Sequence, residues 1–128
     1  MSFKSMVTAL TAQNATETTK TLIDTITVPQ GVSRLVGVGA HVHAKGLTTL
    51  ETVSGIIELE SDDMAPWGGT QSFLLPMQNP LTSGTAAMNP YIHPANIPVT
   101  PGSHIKFSTT LDMVLTITPS VRGQLTFE

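Results

Sequence analysis

Hydrophobic and polar positions alternate with period two along most of the chain, most plainly between Arg34 and Ala44. There Val36, Val38, Ala40, Val42 and Ala44 hold the even positions, while Gly37, Gly39, His41 and His43 hold the odd ones. Such alternation predicts a strand with its even face in a core. A helix would spread the apolar set around its whole circumference and carry two glycines in its interior.

The same reading extends in both directions. Thr21 to Val28 alternates with Leu22, Ile26 and Val28 on one side, and stops at the turn signal Pro29-Gln30-Gly31. Gly46 marks a turn, after which Glu51 to Glu60 sets Val53, Gly55, Ile57 and Leu59 inward against Thr52, Ser54, Glu58 and Glu60, with Ile56 out of phase. Ser61 to Gly69 has loop composition, and Thr70 to Leu75 a short strand pattern. From 76 to 94 the prolines 76, 80, 90 and 94 predict a long functional loop or a crossover between sheets. Ala95 to Val99 reads as a short edge strand containing Pro98, and Pro101-Gly102 as a turn. Ile105, Phe107, Thr109 and Leu111 form the next apolar face, which Met113, Leu115 and Ile117 continue. Val121, Gly123, Leu125 and Phe127 make the last.

Seven or eight strands and no helix predict an all-β fold, a two-sheet antiparallel β-sandwich. A jelly roll of about eight strands suits the long 76 to 94 connection. An immunoglobulin-like sandwich is the runner-up, but Trp67 falls in a loop and the chain has no cysteine. The 128 residues are read as an N-terminal arm, 1–20, and one jelly-roll domain, 21–128.

Charge sharpens the picture. Asp, Glu, Lys and Arg make up 12% of the chain, about half the usual share, with a net charge of −3 and no block of one sign. A folded chain of this size exposes roughly 6,600 Å², which so few charges cover thinly. Surfaces of that kind suit burial against neighbours, because charge is depleted from interface cores. Without a basic stripe, direct nucleic-acid binding is not expected, and the arm holds only Lys4, Glu17 and Lys20. The apolar run needed for a signal peptide or a membrane-spanning helix is not read here.

Three stretches, Ile26 to Val38, Val53 to Asp63 and Ile97 to Ile105, resemble the succession of strands and turns in single jelly-roll virion proteins of icosahedral viruses of archaea and bacteria. The resemblance covers 21–128 as a pattern, with no motif to anchor it. It implies a non-enzymatic capsid or capsid-associated subunit, made in the host cytoplasm and residing in the virion, which closes into a ring or shell with copies of itself. The arm, with only Lys4, Glu17 and Lys20 for charge, departs from the genome-binding type and leaves other virion proteins or an internal membrane as the inward partner.

Candidate chemistry is sparse. His41 and His43 stand two apart on one strand, a spacing that can hold a metal, as in cupins. The acid that a cupin places shortly after its second histidine is missing, and the nearest is Glu51; His93 and His104 are the other conceivable third ligands. The balance favours ordinary surface or interface histidines, with no metal and no cofactor expected. Glu58, Glu60, Asp62 and Asp63 fit a solvated strand and its exit better than a calcium or glycosidase site. Trp67 offers a sugar-stacking platform or an interface anchor. Met77, Leu81, Met88 and Tyr91, in the proline-rich stretch, are the other interface or ligand candidates. Two further functions therefore stand beside the virion reading: a carbohydrate- or receptor-binding module, and a cupin-like metal-binding protein.

Overall fold

The structure, a computed structural model, describes residues 3–8, 11–12, 20–47, 53–78, 84–87, 92–111 and 120–128. These form β1 (Lys4–Val7), β2 (Thr11–Ala12), β3 (Thr21–Thr27), β4 (Arg34–Leu47), β5 (Val53–Glu60), a 3-10 helix (Asp62–Trp67), β6 (Thr70–Gln78), β7 (Gly84–Ala87), β8 (Ile92–Pro98), β9 (His104–Leu111) and β10 (Ser120–Phe127).

The pairing follows one rule. β1 and β2 lie on β10, β3 on β9, β4 on both β7 and β8, and β5 on β6, always antiparallel. The first half of the chain is thus laid against the second like the arms of one long hairpin. Two more pairings, β10 with β4 and β9 with β5, roll this ribbon into two sheets. One sheet runs β1-β10-β4-β7, with β2 beside β10 and β8 beside β4; the other runs β3-β9-β5-β6. With β1 and β2 sharing one edge position and β7 and β8 another, the result is a jelly roll of eight strand positions.

The core lies between the sheets. Leu35, Val38, Ala40, Ile97, Val121, Leu125 and Phe127 from one meet Ile23, Ile26, Ile57, Leu59, Ile105, Phe107 and Leu111 from the other. Phe107 is fully buried, and its ring lies where a Cβ on Gly123 would be, so here the two sheets pack over a residue with no side chain.

The period-two reading holds for β5, β9 and β10 and slips at two bulges. In β4 the register shifts at Val36, which places both Leu35 and Val38 in the core and leaves Val36 half-buried. In β3 a shift between Leu22 and Asp24 turns Ile23 inward and leaves Leu22 51% exposed, the reverse of the expected side. Gly46 is no turn: β4 runs through it to Leu47 with a register shift. Of the two readings of the 76 to 94 stretch, the crossover holds and the long loop does not: it contains the end of β6, all of β7 and the start of β8, and it passes from the sheet of β6 to the sheet of β7 and β8. Its prolines misled because an edge strand tolerates a missing N–H, and β8 carries Pro94 and Pro98 on a sheet edge. Residues 112–119, with the expected continuation of β9, lie outside the described residues.

Ser61 to Gly69 is a capped 3-10 helix and not an open loop. Ser61 Oγ accepts the Asp63 N–H at 3.2 Å, and Gly68 ends the turn at φ 80°, a conformation open to glycine. The helix drops Met64, fully buried, into the end of the sandwich.

Candidate functional site

One side of the sandwich stands apart in its chemistry. β6 is an edge of one sheet, and β7 and β8 form an edge of the other. Between residues 64 and 105, which include all three strands, the chain holds no Asp, Glu, Lys or Arg. The two edges meet where His93 Nε2, as donor, lies 2.5 Å from Leu74 O and the His93 and Phe73 ring centroids are 5.9 Å apart. Leu74 is 71% exposed and pairs across the strands with Ile56, also exposed, so two large aliphatic side chains stand together on the outer face. Ile92, exposed on β8, lies against Gly37, with Cγ2 2.7 Å from where a Cβ would be. The wall therefore exposes large aliphatic side chains and has no charged residue on its own strands, with Arg34 of β4 donating to Asn96 Oδ1 at its margin, and its edges are made poor templates for strand addition by Pro76, Pro94 and Pro98.

Beside the His93 tie the sheets part to leave an open notch of about 210 Å³, lined by Gln71, Phe73, Ala95, Asn96 and Ile97. The alternation that buries Ile57 and Leu59 directs their partners Phe73 and Gln71 to the same inter-sheet side.

A larger open cleft, about 430 Å³, lies at the end of the sandwich among Glu60, Ser61, Asp62, Gly69, Ser103, His104 and Lys106. Glu60, Ser103 and His104 of its lining are engaged by the fold. Ser103 Oγ donates to Asp63 Oδ2 at 2.6 Å, Glu60 binds Lys20 at 2.5 Å, and His104 Nδ1 is 3.1 Å from Thr27 Oγ1. Asp63 also accepts the Thr100 N–H at 3.0 Å and the Thr100 hydroxyl at 2.9 Å, tying the 3-10 helix to the turn before β9. Burial favours the neutral acid, but the Ser103 and Thr100 hydrogen bonds outweigh it and hold the Asp63 carboxyl below its ordinary range.

The acidic cluster read from the sequence divides. Lys20 bridges Glu58 at 2.9 Å and Glu60 at 2.5 Å, and its hydrogen bond keeps the Glu60 carboxyl below its usual range. Asp63 belongs instead to the turn clamp. Because Lys20 and its partners are solvated, Lys20→Ala is expected to leave the melting temperature unchanged within error at physiological salt. A marked drop there would show that the bridge does more than decorate the surface.

His41 and His43 lie on β4 in register with Arg122 and Ser120 of β10, and His43 also with Ala87 of β7. Of the conceivable third ligands, His93 reaches Leu74, His104 reaches Thr27 on the other sheet, and Glu51 lies outside the described residues. Among the described residues no three His, Cys, Asp or Glu side chains form a metal-holding group. Trp67 closes the 3-10 helix and Met77 lies in β6; Leu81, Met88 and Tyr91 fall outside the described residues. Phe73, Leu74 and Ile92 were missed as site residues and His93 was weighed only as a metal ligand, although the charge-free run from 64 to 105 was legible.

Fold and wall together define the class, a jelly-roll β-sandwich with one uncharged side. No protein-family model, no curated protein and no solved structure matches the chain.

Proposed function

We infer that this chain is a structural subunit of a virus particle, a non-enzymatic jelly roll that assembles with copies of itself and with other virion proteins. The observation that carries this reading is the charge-free wall of β6, β7 and β8 with Leu74 and Ile92 exposed on it. Burying such a wall removes apolar surface from water while its strands bring no ion of their own to be stripped of hydration, so association gains the hydrophobic term at a small charge-desolvation cost. The prolines on its edges favour side-by-side packing over uncontrolled strand addition. Repetition of one contact by identical subunits builds a ring or shell, with shape supplying specificity. An internal membrane remains an inward partner of this proposal, and direct genome contact forms no part of it.

Size-exclusion chromatography with light scattering, followed by electron microscopy of the expressed protein, tests the reading. Closed particles or defined oligomers are expected. Leu74→Asp, which places a charge on an exposed side chain, is expected to leave the fold intact and raise the concentration needed for assembly at least tenfold. A wild-type chain that stays monomeric at high concentration overturns the proposal.

A further inference from the structure

We propose that the notch between β6 and β8 receives Phe3 from a second copy of this chain, making the subunit contact directional. The proposal rests on the self-assembly reading and specifies its geometry.

Phe3 is 62% exposed, the least covered of the four phenylalanines. It is presented on an anchored segment. The next residue, Lys4, donates through Nζ to Gln30 O at 2.6 Å, Ser5 Oγ lies 3.3 Å from Thr126 Oγ1, and β1 pairs with β10 from Lys4 to Val7. Ordering its backbone therefore costs little on binding, as preorganised anchors require.

The notch has the size and lining for that ring. Its volume is about 210 Å³, and apolar cavities of about 150 Å³ accept benzene. Phe73 offers an aromatic partner, Ala95 and Ile97 an apolar floor, and Gln71 and Asn96 a polar rim. The bounding strands carry no ion of their own, and at the rim Asn96 Oδ1 accepts from Arg34 Nη1 of β4.

A chain cannot fill its own notch with its own Phe3. β1 and β8 occupy opposite edges of the same sheet, separated by β10 and β4; at about 4.8 Å per strand step that is roughly 14 Å of sheet. The occupant must come from a neighbour. Because knob and notch are different surfaces, the contact is head-to-tail, the kind that closes rings when the rotation per subunit allows.

Two variants and their mixture test this. Phe3→Ala removes the knob from an exposed position, and Gln71→Trp fills the notch from within; Asn96→Trp fills it from the other strand should Gln71→Trp misfold by circular dichroism. Each is expected to remain folded and to need at least tenfold more protein to assemble. Mixed one to one, the notch-blocked chain still offers its Phe3 to the open notch of the knobless chain, so light scattering should show a heterodimer that grows no further. Assembly of Phe3→Ala at wild-type concentration, or a mixture without heterodimer, overturns the directional contact while leaving self-assembly standing. A monomeric wild type instead removes the reading on which it rests.

Discussion

Replacing Gly123 by alanine is expected to destabilise the fold by about 1–3 kcal/mol, the usual cost of overpacking a filled core. Backbone propensity predicts the opposite sign, because glycine weakens a strand interior and alanine restricts the unfolded chain. The decisive fact is the Phe107 ring, which lies where the new methyl must go. Phe107 is fully buried on β9 and has no free direction in which to yield. The effect should therefore be tied to that ring. In a double-mutant cycle with Phe107→Leu, the pair is expected to lose about 1 kcal/mol less than the sum of the single changes. Urea denaturation of the four proteins reads this directly, and additive losses would show that the sheets do not meet there.

Asp63→Ala should cost about 2 kcal/mol, because the Thr100 N–H and the hydroxyls of Thr100 and Ser103 lose a shared ionised acceptor. The sign of the acid dependence follows from the carboxyl's depressed pKa in the folded chain. Its contribution is complete above the unfolded value, about 3.9, and disappears as pH falls through the lower folded value. Between pH 7 and 5 this residue should leave stability flat; below about pH 4 the wild type should lose stability that Asp63→Asn never had. Thermal melts of both proteins from pH 7 to 3 measure the difference. Parallel curves throughout would rule out the clamp.

Particular residues show how far sequence reading reaches. Val121, Gly123, Leu125 and Phe127 are all buried as the alternation predicts, since the one register shift along β10, between Thr126 and Phe127, puts the extra residue, Val36, on β4 and not on β10. Leu22 and Ile23 exchanged places because a bulge adds a residue without any local composition signal. The strands hidden in the 76 to 94 stretch were illegible for a related reason: proline forbids a central position but permits an edge, and only the assembled sheet shows which is which. The wall itself was readable as a charge-free run; that its parts come from edges of two different sheets was not, because that is a property of the roll. Asp63 looked like one acid among four until the turn at Thr100 came to meet it.

The nested ribbon has a kinetic consequence. β5 and β6 are near neighbours in sequence, whereas the β1–β10 pairing joins Lys4 to Phe127. Zipping from the hairpin end outward closes each successive rung at a small extra loop entropy, while starting from the outermost rung must close nearly the whole chain at once. β10, which sits between β1 and β4, is the last strand in the chain and completes the sheet bearing Phe3. The segment that presents the knob therefore has no docking strand until β10 has been made, so a chain does not offer Phe3 on a paired β1 before its own sheet is in place.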